Sequence, residues 1–210
     1  MMDNSNLSAK VALRKHFLNE LPASAKILEC FAGEERKIYN KCYTTNQTTS
    51  LDKKKITGVV CCNNQHYITS NDLNQYDVFD LDAYGDPYVL VLNIIHRLAA
   101  DGKERCLVIT DGLHRNLIYG NCPGILLTTM NNSAKVQIPC LNRHHDFLIK
   151  LFLAELARKY NVEIKGIKIY RDESVNHMLY YGFLFCKNQP EPTLLKINAT
   201  TVFNKNIVNK

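Results

Sequence analysis

A mostly parallel α/β sheet with helices on both faces is the fold class this sequence predicts, and three observations predict it. Short apolar, β-rich runs alternate with helix-periodic segments along nearly the whole chain. Turn residues close those runs, among them Ala32-Gly33, Gly85 and Asp101-Gly102. The last two strand-like runs, 163–170 and 177–186, are separated only by residues 171–176. That link is too short for a helical crossover, so the final strand should run antiparallel.

The elements follow in order. Residues 10–21 read as a helix, with Val11, Phe17, Leu18 and Leu21 as its apolar positions. Residues 26–31 form a short buried strand that ends at Ala32-Gly33, and residues 34–43 read as a helix with an acidic first turn. Residues 48–51 are a second short strand, closed by Asp52. An apolar, β-rich run over 56–62 precedes a polar stretch around Asn63-Asn64. Residues 76–82 make a strand that turns at Ala83-Tyr84-Gly85, followed by a helix over 87–100 with Pro87 near its start. Residues 105–110 are another strand, and 142–160 form the longest helix, carrying Phe147, Leu148, Leu151, Phe152 and Leu156. These elements make one domain over residues 1–187, leaving 188–210, rich in Asn, Lys and Thr, as a C-terminal arm or a disordered tail.

Composition narrows the class. The chain has 210 residues, enough for one sizeable core, with 46% hydrophobic and 22% charged residues. No apolar run approaches the roughly 20 residues of a membrane span, and residues 1–10 lack the apolar stretch of a signal peptide. The expected location is the cytoplasm. Eight cysteines contain no C-x-x-C pair, and Cys30, Cys62, Cys106 and Cys186 lie in or beside apolar runs, so free thiols are expected and no metal site. The net charge of +6 permits a polyanionic partner without demanding one, and Lys53-Lys54-Lys55 reads as a solvated turn.

In a doubly wound sheet, ligands bind outside the carboxyl ends of the strands. Three sites fall there. Glu29-Cys-Phe-Ala-Gly33 pairs an acid suited to an ammonium with a glycine that allows a sharp turn and close backbone approach. Asp52, about twenty residues on, stands where a carboxylate takes ribose hydroxyls. Asp80-Leu-Asp82-Ala-Tyr84-Gly85 closes the third run.

Ile27-Leu-Glu-Cys-Phe-Ala-Gly33 resembles the first motif of class I S-adenosylmethionine-dependent methyltransferases. The resemblance implies a Rossmann-like, seven-stranded sheet and S-adenosylmethionine as cofactor. It implies that Glu29, Phe31, Ala32 and Gly33 form the turn at its methionine end, and that Asp52 holds the ribose. Asp72 is implied as an adenine contact, and Asp80 joins the cofactor set. The family's second glycine is replaced, since the run reads Gly33-Glu34-Glu35.

The stretch Asp80-Leu-Asp82-Ala-Tyr84-Gly-Asp-Pro87 resembles the fourth-strand motif of tRNA guanine-N2 dimethyltransferases, and more loosely that of base-amino methyltransferases. Thr110-Asp111 and Gly120-Asn121 resemble further elements of the former. This implies an exocyclic amine of a nucleic-acid base as substrate, RNA before DNA, with Asp82 accepting from the amine and Tyr84 stacking on a flipped base. The alternative is a methyltransferase fold without catalysis that binds nucleic acid or a protein partner. His114 and Arg115 border the expected cleft, whereas His144-His145 reads as a polar helix start.

Overall fold

The computed structural model describes residues 6–83, 85–129, 141–171 and 178–189. The strand expected over residues 26–31 is β1 (Ile27–Cys30), which pairs in parallel with both β2 (Thr48–Asp52) and β4 (Val78–Leu81). β3 (Val60–Cys61) adds a short parallel edge to β2, and β5 (Glu104–Asp111) adds a parallel strand to β4. β7 (Leu179–Lys187) then pairs antiparallel with β5, and β6 (Val162–Arg171) antiparallel with β7. The order is β3-β2-β1-β4-β5-β7-β6. This is the Rossmann-like sheet of the class I methyltransferase fold, antiparallel last strand included.

Side-chain alternation along the strands divides the core in two. Leu28, Cys30, Phe79, Leu81, Leu107 and Ile109 face one layer, which is covered by α2 (Asn64–Ser70), α3 (Tyr88–Arg97) and α6 (His145–Tyr160). Ile27, Val78, Cys106 and Val108 face the other, beneath α1 (Leu7–Glu20). Short helices α4 (His114–Ile118) and α5 (Gly124–Thr129) follow β5, and a 3-10 turn, Leu141–His144, leads into α6.

The first helix differs from its sequence reading. Asn6 caps it by accepting the Ala9 N–H at 3.1 Å. Its buried stripe is Lys10, Leu13, Arg14 and Phe17, while Val11 and Leu18 are only half-buried. The i, i+3, i+4, i+7 spacing is helical as expected, yet two of its four buried members are cations. Phe17 packs directly on Gly182 of β7, where a Cβ would collide with the ring and stand 2.9 Å from the Leu107 carbonyl oxygen.

Other boundaries shift for local reasons. The helix expected over 34–43 is replaced at its start by a turn, because Gly33 and Arg36 both take positive φ. The chain becomes helical only from residue 37 and closes as a π-helical turn, Tyr39–Tyr43. Of the apolar run 56–62, only Val60 and Cys61 pair as a strand, and both are exposed. α2 was hidden by its polarity. Asn63 caps it by accepting the N–H groups of Gln65 and His66, and only Asn64 and Ile68 are buried. No helix among the described residues is long and apolar enough to cross a membrane. The seven described cysteines are free thiols.

Candidate active site

The carboxyl end of β1 breaks into a turn where Phe31 (φ 65°) and Gly33 (φ 69°) both adopt the left-handed region. For Phe31 that backbone is strained. Ala32 N–H donates to the Leu51 carbonyl at 3.0 Å, which ties the turn to β2. Asp52 completes the tie. Its Oδ2 accepts the Gly33 N–H at 3.0 Å and its Oδ1 accepts the Lys54 N–H at 2.9 Å. The expected pair Gly33 and Asp52 is thus brought into direct contact.

Above this junction lies a cavity of about 670 Å³. Phe31, Gly33 and Asp52 line one side, Asn63 and Asn64 another, and Val89 and Leu90 of α3 give an apolar wall. Asn64 is nine-tenths buried, and its Oδ1 has no hydrogen-bond partner among the described residues. An unpaired buried acceptor is costly unless a ligand donates to it. A glycine turn with nothing within 4 Å of its Cβ position, a carboxylate and an orphan amide oxygen suit a nucleoside-bearing ligand.

A second cavity, of about 230 Å³, adjoins the first and shares Phe31, Gly33, Glu34 and Lys54 with it. Ala32, Glu35, Arg36 and Asp82 also line it. Lys54 Nζ and Glu34 Oε1 pair at 2.6 Å where the two cavities meet. Both partners are exposed, so this contact is soft.

Asp80 and Asp82 lie on alternate positions of the same strand end and so face the same layer, towards α1. Asp80 is fully buried. Arg14 binds it through two parallel bonds, Nε to Oδ2 at 2.7 Å and Nη2 to Oδ1 at 2.6 Å, and the Tyr43 hydroxyl donates to Oδ2 at 2.6 Å. A carboxylate so enclosed holds α1 on the sheet, and Asp80, expected in the cofactor set, lines neither cavity. Asp82 keeps 14% of its side chain exposed. Lys10 Nζ lies 2.7 Å from Oδ1 and 2.9 Å from Oδ2, and the Thr110 hydroxyl donates to Oδ1 at 2.6 Å.

Glu29 sits beside Asp80 in the strand register and opposite Ser50, whose hydroxyl donates to Oε2 at 2.5 Å. It is 1% exposed, and Oε1 has no partner among the described residues. Burial pushes its pKa up to about 7, against the Ser50 bond that lowers it. Glu29 therefore lies beneath the glycine turn rather than on the wall of either cavity.

Asp72 does not join the site. It follows α2 on the way into β4, at the amino edge of the sheet, where it accepts from the Asn74 N–H and side chain. The same loop touches the end of α3 through Ala99 and Arg97, and Asp72, expected as an adenine contact, does not line the cavity. Asn63 and Asn64 stand at the cavity instead. Tyr84 lies outside the described residues. His114 and Arg115 lie on α4, and their side chains are likewise outside them.

His145 starts α6, as expected, but is buried. Its Nε2 lies 3.0 Å from Asp111 Oδ2, which also accepts the Tyr88 hydroxyl at 2.6 Å, and both His145 and Asp111 are buried. Sequence reasoning also missed Lys10 and Thr110 as partners of Asp82. The only signal for Lys10 was its place in the helical stripe with Leu13 and Phe17.

No family model matches the chain, and no curated protein matches it. Similar solved structures include the 1,6-didemethyltoxoflavin-N1-methyltransferase of Burkholderia thailandensis, solved with S-adenosylhomocysteine, at 13% identity over 89% of this chain and 80% of that one (TM-score 0.49). The N-methyltransferase NodS of Bradyrhizobium japonicum matches at 8% identity over 90% and 100% (TM-score 0.48). The 16S rRNA (adenine(1408)-N(1))-methyltransferase of Catenulisporales acidiphilia matches at 11% over 90% and 95% (TM-score 0.43).

Proposed function

We propose that the chain is an S-adenosylmethionine-dependent methyltransferase acting on an exocyclic amine of a nucleic-acid base, RNA before DNA, in the cytoplasm. The observation that carries the cofactor reading is the cavity at the carboxyl ends of β1 and β2, where Gly33 and Asp52 meet beneath the orphan Asn64 oxygen. In this reading Asp52 takes the ribose hydroxyls, the turn at Phe31, Ala32 and Gly33 lies against the methionine end, and Asn64 accepts from the base. When bound, S-adenosylmethionine supplies an electrophilic methyl group.

The chain's own part is positioning. A carboxylate has about four lone-pair sites. Lys10 takes one on each oxygen of Asp82 and Thr110 takes a second on Oδ1. One site on Oδ2 is left for an incoming amine. Held by Lys10 and Thr110, Asp82 is placed to orient the amine. Tyr84 supplies the stacking ring.

A second reading, a fold that binds cofactor or nucleic acid without transfer, is favoured by Glu35 on the wall of the second cavity and by the occupied carboxylate of Asp82. Labelled methyl transfer to total tRNA, rRNA and DNA, followed by nucleoside analysis, separates the two. A base N-methylated product supports the first. Cofactor binding with no product on any of the three supports the second, and a product on carbon or ribose oxygen overturns the assignment of Asp82.

A further inference from the structure

The carboxyl end of β5 carries an exposed aromatic face distinct from the two cavities. Ile118 and Tyr119, at the end of α4, are 44% and 70% exposed, and Phe147 on the first turn of α6 is 59% exposed. α4 packs on the 3-10 turn Leu141–His144 that opens α6, which places these side chains on neighbouring elements. Arg143, His144 and Lys150 are exposed on the same turn and helix. Arg143, Phe147 and Lys150 follow helical spacing opposite the buried stripe of Leu148, Phe152 and Leu156. Asp146, the acid among them, is half-buried and already engaged.

A single exposed Phe or Tyr is ordinary on a protein surface. Two exposed rings flanked by three basic side chains form a different surface: rings stack on bases regardless of sequence, and cations pair with phosphates. The face also lies at the ligand-bearing edge of the sheet. Gly112 N–H, just after β5, donates to the Gly85 carbonyl at 3.3 Å and joins the loops that follow β5 and β4. The net charge of +6 favours a polyanion over an acidic-poor protein surface.

We propose that Tyr119 and Phe147, with Arg143 and Lys150, hold a single nucleic-acid strand and deliver it to the Asp82 cavity. This rests on the reading that the substrate is a nucleic-acid base. Fluorescence anisotropy with single-stranded RNA and DNA of about twelve nucleotides, within the span of one such binding groove, tests it on the full chain. Tyr119→Ala and Phe147→Ala should each weaken binding roughly tenfold. Arg143→Gln should flatten the salt dependence by about one unit of slope. His96→Ala, on an exposed ring at the end of α3 and so at the opposite edge of the sheet, should leave binding unchanged. The polymer bound more tightly identifies the strand as RNA or DNA. Unchanged affinity in both ring variants overturns the surface. If methyl transfer to nucleic acid persists in them as well, the substrate reading stands without it. Self-association of the wild type that Phe147→Ala abolishes would make this a contact between copies of the chain and also overturn the proposal. Strand binding lost in the ring variants, in a protein that transfers no methyl group to nucleic acid, keeps the surface and removes the substrate reading.

Discussion

The ammonium of Lys10 spans both carboxylate oxygens of Asp82, 2.7 Å from Oδ1 and 2.9 Å from Oδ2. One residue of the first helix thereby fixes the side chain at the end of the fourth strand. A double-mutant cycle of Lys10→Met and Asp82→Asn should return a coupling of about 1–3 kcal/mol in urea denaturation. Additive effects would mean that the contact carries no stability. In transfer assays Asp82→Ala should abolish product while calorimetry shows cofactor affinity close to wild type.

Arg14 and Asp80 form the deeper pair, both with no exposed side-chain surface. Removing one partner strands a buried charge, so Arg14→Met should lower stability by about 3–5 kcal/mol. A loss below about 1 kcal/mol in denaturation would show that Tyr43 and the surrounding groups satisfy Asp80 without the guanidinium.

Glu29 makes stability depend on pH. Its pKa is raised from 4.5 to about 7 by burial, so the folded state favours the protonated form. The contribution is complete below pH 4.5, where both states are protonated, and is lost as pH rises through about 7. Relative to Glu29→Gln, the wild type should lose about 3 kcal/mol across that window. A difference that stays constant with pH would contradict the buried, protonated carboxyl.

Gly182 is fixed by contact and not by backbone conformation. A methyl group there meets the Phe17 ring and the Leu107 carbonyl. Gly182→Ala should cost about 1–3 kcal/mol through displaced packing of α1. Phe17→Leu combined with it should recover part of that loss, and no recovery would place the strain elsewhere.

The parallel sheet was legible because β1, β4 and β5 are short, mostly apolar, β-rich runs between helix-periodic segments, and the antiparallel β7 because its link to β6 is short. The junction of Gly33 and Asp52 was legible from their spacing at successive strand ends. What the sequence concealed is mostly polar. Lys10 and Arg14 are cations inside the buried stripe of α1, and a search for apolar periodicity passes over them, although alternation aims Asp80 and Asp82 at the very face where they lie. α2 carries too few apolar residues to show a helical period, so Asn63 and Asn64 on the cavity wall are not legible in the sequence. His145 does start α6 as expected, but its buried partner was not legible because Asp111 is 34 positions away.

The most direct test of the cofactor site is calorimetric titration of S-adenosylmethionine into the wild-type chain and Asp52→Ala. The account predicts one molecule bound per wild-type chain and a loss of about 1–3 kcal/mol in the variant, from the charged hydrogen bonds removed. No binding to the wild type, or wild-type affinity in Asp52→Ala, would contradict it.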